Sequence, residues 1–288
     1  QVGALGMPDS INSIYVSGRY AYVGLYSDPR HPLSSSFRII DISNPSSPVQ
    51  VGALGMPDSI NSIYVSGRYA YAGTRFYLYI IDISNPASPV QVGTLETGIE
   101  WVFSLYVSVC YAYAGDYVNG FFYIIDISNP ASPILVRKYF VGYSSGVPGE
   151  EAVKPSIYSI YVSGRYAYLG LKFKYNTSLK EFRIIDISNS SSPVEVGALD
   201  VPDSIYSIYV SGRYAYLGLD YHSYKEFRII DISNPASPVE VGALDMPYSI
   251  SDLYVSGRYA YLGLSSTINA FRIIDISNPA SPVEVGAL

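Results

Sequence analysis

The sequence predicts an all-β protein, a six-bladed β-propeller of four-stranded antiparallel blades. The segment Val-Ser-Gly-Arg-Tyr-Ala-Tyr at residues 16–22 recurs along the chain, and so does Ile-Ile-Asp-Ile-Ser-Asn, first seen at 39–44. The six starts of the first segment lie 49, 42, 55, 48 and 45 residues apart. Such a period, with four short strand patterns and no helical pattern in each repeat, is typical of propeller blades.

The first repeat illustrates strands a and b. Strand a is predicted over residues 11–17, where apolar and polar residues alternate and β-branched residues are frequent. Ser17 and Gly18 then form a two-residue hairpin turn, because glycine tolerates a positive φ. Strand b is predicted over residues 19–25, with aromatic residues at alternate positions.

Strands c and d complete the blade. Strand c is predicted over residues 37–43, a mostly apolar run typical of the middle of a packed sheet. The Asn-Pro-Ser-Ser-Pro segment at 44–48 then prevents further pairing, and strand d follows over 49–54. Because both faces of each blade are buried against neighbours, we expect a single domain over residues 1–288, a ring closed by the terminal strands.

The two ends of the chain carry one strand more than this ring needs. Six blades require six d strands, but the sequence holds seven segments of that type. The first, residues 1–5, and the last, residues 284–288, are expected to compete for the place beside strand c of the last blade, residues 271–277. An unused strand pairs readily with another chain, which predicts self-association as a head-to-tail polymer or as tandem propellers. The alternative is a frayed terminus.

The repeated block Phe-Arg-Ile-Ile-Asp-Ile-Ser-Asn-Pro and its Val-Ser-Gly-Arg-Tyr-Ala-Tyr companion resemble the LVIVD-type β-propeller repeat, over essentially the whole chain. The resemblance implies the propeller fold. It also implies an extracellular or cell-surface location, because such repeats are similar to those of surface and secreted proteins, which share no common chemistry. Two repeats depart from the pattern, at Val109-Cys110 and at Asn189-Ser190.

Composition argues against several function classes. The net charge of −6 disfavours a nucleic-acid partner, and no apolar run is long enough to span a membrane. With two histidines and one cysteine, we expect no metal site and no cofactor. Nucleophile-elbow, phosphate-loop and dinucleotide signatures are absent, so we expect no catalytic residues and no enzyme activity.

Two repeated residue types invite a functional interpretation. One aspartate per repeat lies shortly before the Ser-Asn turn, and we interpret these six as turn carboxylates that accept hydrogen bonds from turn amides or repeated arginines. They are Asp41, Asp82, Asp126, Asp186, Asp231 and Asp275. Three tyrosines recur in each repeat, as Tyr15, Tyr20 and Tyr22, and packing between blades is favoured over an exposed carbohydrate-stacking array.

Function is expected where the repeat stops repeating. The b–c and d–a loops vary in length, and in an up-and-down blade both emerge on one face, which makes that face the candidate binding face. Its side chains are Tyr26, His31, Phe76, Trp101, Tyr117, Tyr143, Tyr175, Tyr221 and His222, with Lys172, Lys174 and Lys225 nearby. Acceptor motifs for N-glycosylation begin at Asn176 and Asn189.

The first functional hypothesis is a non-enzymatic extracellular building block of a surface layer, sheath or filament. Residues 1–22 and 50–71 are identical, which suits a building block better than an asymmetric active site. The alternative is a module that binds a glycan or a surface protein through the loop face. An enzyme is the third and least favoured hypothesis.

Overall fold

The computed structural model describes residues 2–26, 36–142, 154–173, 180–221 and 225–288. In these residues the chain is all-β, with six blades of four antiparallel strands in a propeller arrangement and no helix. The predicted fold class is therefore confirmed. The chain divides into two compact units, residues 1–140 and 141–288, with three blades each.

Unit 1 contains blades 1 to 3, and in each blade the spatial order of the strands follows the chain. Its strands are β1 (Ile11–Ser17), β2 (Tyr20–Leu25), β3 (Phe37–Asp41), β4 (Val49–Leu54), β5 (Ser62–Ser66), β6 (Tyr69–Gly73), β7 (Tyr77–Asp82), β8 (Val90–Glu96), β9 (Val102–Ser108), β10 (Tyr111–Asp116), β11 (Phe121–Asp126) and β12 (Ile134–Phe140).

Unit 2 contains blades 4 to 6 with the same order of strands. Its strands are β13 (Ser156–Ser163), β14 (Tyr166–Lys172), β15 (Phe182–Asp186), β16 (Val194–Leu199), β17 (Ile205–Ser211), β18 (Tyr214–Leu219), β19 (Phe227–Asp231), β20 (Val239–Leu244), β21 (Ile250–Ser256), β22 (Tyr259–Leu264), β23 (Phe271–Asp275) and β24 (Val283–Ala287). In the described part of the chain, no helix is long and apolar enough to cross a membrane.

Strand c is two residues shorter than predicted, because its last residue turns the chain. In blade 1, β3 ends at Asp41, whose Oδ1 accepts the backbone N–H of Ser43 at 2.9 Å. The turn then continues with Asn44, whose carbonyl accepts the N–H of Ser47 at 3.0 Å. A side chain that bonds its own backbone two residues later competes with the strand ladder, so pairing stops at the aspartate.

Apolar side chains from neighbouring blades form the cores of each unit. Between blades 1 and 2, for example, Tyr22 and Ile39 pack with Ile63 and Ile81. Equivalent clusters join blades 2 and 3 in unit 1, and blades 4, 5 and 6 in unit 2. The Tyr22 position is buried between blades within the units, so this set of tyrosines contributes to packing.

Strand d approaches the turn of the next blade so closely that it requires glycine. A Cβ at Gly52 of blade 1 would lie 1.9 Å from the carbonyl oxygen of Pro86 in blade 2. Gly93 meets Pro130 at the same distance, and in unit 2 Gly242 meets Pro279 at 1.9 Å. No side chain fits at such a separation, so blade spacing depends on these glycines.

The two terminal segments of d type take different places in the structure. In unit 2, β24 pairs with β23 and completes blade 6, so the C-terminal segment takes the expected place. In unit 1, residues 2–7 form no strand, but Gly3 lies on the turn of blade 1, where a Cβ would be 2.1 Å from the carbonyl oxygen of Pro45. Gln1 lies outside the described residues.

Candidate functional site

The repeated aspartates make ion pairs and turn hydrogen bonds within their own blades. Each accepts the backbone N–H two residues later, at 2.8–2.9 Å. Five also pair with an arginine that directly precedes strand b of the same blade, as Arg165 does with Asp186; blade 3 has Cys110 in its place. The hydrogen bond from Arg165 lowers the pKa of Asp186 to about 2.

No described group of three or more histidine, cysteine, aspartate or glutamate side chains could hold a metal ion. In the described part of the chain, the repeated aspartates therefore act on turns and arginines and form no metal-binding cluster.

An aromatic cluster lies at the loop end of unit 1, and Trp101 is its centre. Trp101 is 44% exposed and stacks on Tyr117, with ring centroids 5.8 Å apart and planes 26° apart. Tyr117 also contacts Phe103, with ring centroids 5.1 Å apart. Phe76 is 37% exposed, and the guanidinium of Arg75 lies 4.9 Å from its ring centroid. These five residues constitute the aromatic shelf.

The backbone ties the aromatic shelf together from three loops. The N–H of Trp101 donates to the carbonyl of Arg75 at 2.6 Å, and its own carbonyl accepts the N–H of Tyr117 at 3.3 Å. Asp116, which precedes Tyr117, is fully buried, and its Oδ1 accepts the N–H groups of Val118 and Asn119 at 2.7 and 3.0 Å. Burial raises the pKa of Asp116.

A polar network occupies the corresponding end of unit 2. Asp220 accepts hydrogen bonds from the hydroxyls of Tyr206 at 2.5 Å and Ser249 at 2.7 Å, and from the N–H of Tyr221 at 2.8 Å. The ammonium of Lys172 donates to Tyr206 at 2.9 Å and lies 3.7 Å from Asp220. Burial raises the pKa of Asp220, but the Tyr206 and Ser249 hydroxyls outweigh it and hold that pKa below its usual value.

Exposed tyrosines border the network of unit 2. Tyr221 is 56% exposed and Tyr248 is 44% exposed, and their ring centroids are 6.1 Å apart. Because Asp220 is bonded on both oxygens, the network positions the loops on which the two exposed rings lie. The arrangement can present a surface for contact.

Two buried glutamates support the d–a connections of unit 2. Glu181 Oε2 accepts the N–H of Val201 at 3.1 Å, and Glu226 Oε2 accepts the N–H of Met246 at 2.7 Å. Burial raises the pKa of Glu181 to about 7, with a smaller contribution from Asp200.

The structure describes only part of the predicted binding face. Phe76, Trp101 and Tyr117 come together in the aromatic shelf, whereas Tyr221 lies in unit 2. Tyr26 is 48% exposed, and its N–H donates to the Ser10 carbonyl at 2.9 Å. The predicted residues His31, Tyr143, Tyr175, Asn176 and His222, with Lys174, lie outside the described residues.

Sequence reasoning missed the polar residues that hold these loops, namely Asp116, Glu181, Tyr206, Asp220 and Ser249. Each occurs in a variable loop or at a strand end and has no repeated counterpart of the same type in every blade. An acidic residue directly before or after a buried strand was the available signal.

The family model for the LVIVD repeat matches residues 10–54, 59–97, 102–141, 157–201, 204–246 and 249–288. The chain belongs to the LVIVD repeat family. The six matches coincide with the six blades, so the LVIVD repeat is the structural unit of the fold. Comparison with curated proteins gives no significant match.

Solved structures share the LVIVD chain's fold at low sequence identity. A chain of a mitotic checkpoint complex is 12% identical with a TM-score of 0.72, over 99% of this chain and 83% of that chain. The Cps50 (Swd1) β-propeller domain of Myceliophteria thermophila is 12% identical with a TM-score of 0.68, over 98% and 89%. The computationally designed Ika8 protein is 12% identical with a TM-score of 0.67, over 98% and 75%. These similarities concern the fold alone.

Proposed function

We propose that this LVIVD protein is a non-enzymatic extracellular building block of a surface layer, sheath or filament, whose copies join head to tail. The single observation that carries the proposal is the position of Gly3 on blade 1. Gly3 lies against Pro45 as Gly52 lies against Pro86, so residues 2–7 cover blade 1 in the manner of the outer strand of a preceding blade. Met7 of the same segment packs on a buried cluster of blade 1.

The other side of the proposed contact between copies is blade 6. There β24 is held beside β23 partly by an ion pair between Arg272 Nε and Glu284 Oε2, at 3.5 Å. Among the described residues, the nearest atoms to a Cβ at Gly286 belong to Ile273, at 3.4 Å, whereas Gly242 meets a turn at 1.9 Å. The N-terminal segment of a second copy exchanges with β24 beside β23, which brings blade 1 of that copy against blade 6.

Two deletions test this exchange because they have opposite predicted effects. Removing residues 284–288 frees the place beside β23 and shifts the protein towards larger species. Removing residues 1–5 removes the incoming strand and yields monomers. Glu284→Gln is the milder control, since it keeps β24 but weakens its ion pair. Light scattering coupled to gel filtration, with electron microscopy of the native material, measures the outcome. Monomers for the parent and for the 284–288 deletion overturn the proposal.

The extracellular setting has its own test. Asn189 is exposed, and its Oδ1 accepts the N–H of Ser191 at 3.2 Å, so its nitrogen is accessible for modification. Intact-mass measurement of native protein from a source that glycosylates exported proteins is expected to show added sugar at Asn189 or Asn176. A bare polypeptide mass from such a source argues against export.

A second candidate function is a module that binds a glycan or a surface protein. It is favoured by the aromatic shelf of unit 1, where exposed rings of Trp101 and Phe76 lie on loops that differ from every other repeat. Exposed aromatic side chains held by a rigid scaffold are typical of recognition surfaces. Screening on a glycan array tests this candidate.

A further inference from the structure

Trp101 occupies a position at which every other repeat has serine. The serines are Ser10, Ser59, Ser156, Ser204 and Ser249. Backbone hydrogen bonds establish the equivalence, because the carbonyl of Trp101 accepts the N–H of Tyr117 as the carbonyl of Ser204 accepts the N–H of Asp220, at 3.0 Å. A single repeat has thus replaced a small hydroxyl by the largest aromatic side chain.

The backbone at Trp101 is strained. Its φ is +77°, and none of the equivalent serines is among the described residues with positive φ. A bulky side chain rarely adopts this conformation, and it persists only where the surroundings enforce it. Here the distinguishing contact is the hydrogen bond from the Trp101 N–H to the carbonyl of Arg75, because the bond from Tyr117 has counterparts in the serine repeats. Packing alone does not require this arrangement, since the serine repeats pack without it.

The shelf combines a flat apolar surface with charged groups at its edge. Trp101 stacks on Tyr117, which in turn lies against Phe103 in a tilted contact, and Trp101 remains 44% exposed. Arg75 and Glu100 flank it, and both are exposed. A pyranose ring has the complementary character, with C–H groups on one face and hydroxyls around its rim.

We propose that the aromatic shelf is a carbohydrate-binding site, in which the C–H face of a neutral hexopyranose stacks on Trp101 while Arg75 and Glu100 bond its hydroxyls. The proposal rests on the second candidate function and names its ligand class and its site. A proline-rich peptide is the less favoured occupant, because its groove requires separate parallel aromatic ridges, whereas the rings of Trp101, Tyr117 and Phe103 lie against one another in series.

The sequence supplies a direct reporter of this site, because Trp101 is the single tryptophan. Chitobiose, cellobiose and lactose, together with an array of neutral oligosaccharides, serve as probes. Stacking of a sugar is expected to shift or quench the tryptophan emission of the full chain, in a saturable manner. Calorimetric titration with the tightest probe then gives the dissociation constant.

Trp101→Ser is the decisive variant, because it installs the residue of the other five repeats. It is expected to keep the circular dichroism spectrum while affinity for the probe falls at least about tenfold. Tyr254→Ser removes a tyrosine of unit 2 that is 58% exposed, and it should leave binding unchanged.

The outcomes separate this site from the broader binding function. Sugar binding that survives in Trp101→Ser overturns the site and leaves the binding function standing on other loops. Absence of binding to every glycan overturns the carbohydrate site and leaves the binding function only as recognition of a surface protein, and binding of a proline-rich peptide in place of sugars overturns the assignment of ligand.

Discussion

Replacing Glu181 by glutamine is expected to stabilise unit 2 at high pH and to have little effect at low pH. Glu181 is 8% exposed, and its Oε2 accepts the N–H of Val201. Burial raises its pKa from 4.5 to about 7. Glutamine retains a side-chain oxygen for this hydrogen bond but carries no charge, so the variant isolates the effect of ionisation.

The sign and size of the effect follow from linkage. A carboxyl group whose pKa is higher in the folded state binds a proton more tightly there than in the unfolded chain. Stability is therefore greatest below the unfolded pKa of 4.5 and falls as pH rises to about 7. One pKa unit corresponds to about 1.4 kcal/mol, so ionisation of Glu181 lowers the free energy of unfolding by about 3 kcal/mol above pH 8.

Thermal or urea unfolding at pH 5 and at pH 8 measures this difference. The wild-type protein and Glu181→Gln are expected to have similar stability at pH 5, whereas the variant is more stable by about 3 kcal/mol at pH 8. Asp200→Asn provides a second measurement. Removing the neighbouring charge of Asp200 lowers the pKa of Glu181, so the loss of stability with rising pH should occur at lower pH in Asp200→Asn than in the wild-type protein. If the free energies of unfolding of the wild-type protein and Glu181→Gln differ by the same amount at pH 5 and at pH 8, the reasoning is refuted.

Three further predictions concern glycine positions and strain. Gly242→Ala places a Cβ 1.9 Å from a backbone oxygen and should lower the free energy of unfolding by about 3 kcal/mol or more. Gly286→Ala places its Cβ 3.4 Å from the nearest atom and should change that free energy by less than about 0.5 kcal/mol. Urea unfolding of the two variants measures both effects. Val109→Gly restores the repeated turn residue at φ +55° and should stabilise the protein by about 1 kcal/mol, with a higher melting temperature. Trp101→Ser should alter unfolding free energy by less than about 1 kcal/mol, because relief of strain offsets lost stacking.

The repeat allowed most of the fold to be predicted. Strands β1 and β4 have the predicted bounds, because alternation and the flanking turn residues mark both ends of each. Strand c was predicted too long, since Ile42 and Ser43 continue its apolar and β-branched pattern. The Asp41 side chain ends the ladder through a hydrogen bond with Ser43, and a propensity pattern does not contain that competition.

The candidate site was predictable in location and less so in chemistry. Variable loop length indicated the face, and Phe76, Trp101 and Tyr117 were identified individually. Their stacking could not be predicted, because it depends on a backbone conformation that brings Trp101 over Tyr117, and φ +77° is contrary to what a tryptophan favours. Burial of Asp116 and Glu181 likewise depends on packing between loops far apart in sequence.

Near-identical repeats make it possible to separate drift from selected change within one chain. Residues common to every blade are explained by the packing and turns that every blade needs, so functional information lies in the departures. Val109 and Trp101 are both departures in blade 3 with positive φ, but their surroundings differ. Val109 is 90% exposed in a hairpin turn, and an isolated strained residue of this kind is consistent with drift. Trp101 is held by the hydrogen bond from its N–H to Arg75 of another loop and by its ring stack on Tyr117, so two neighbouring residues support one strained conformation. Neutral drift does not account for neighbouring residues that together support one strained conformation. The Trp101 position therefore supports a binding role, and the Val109 position does not.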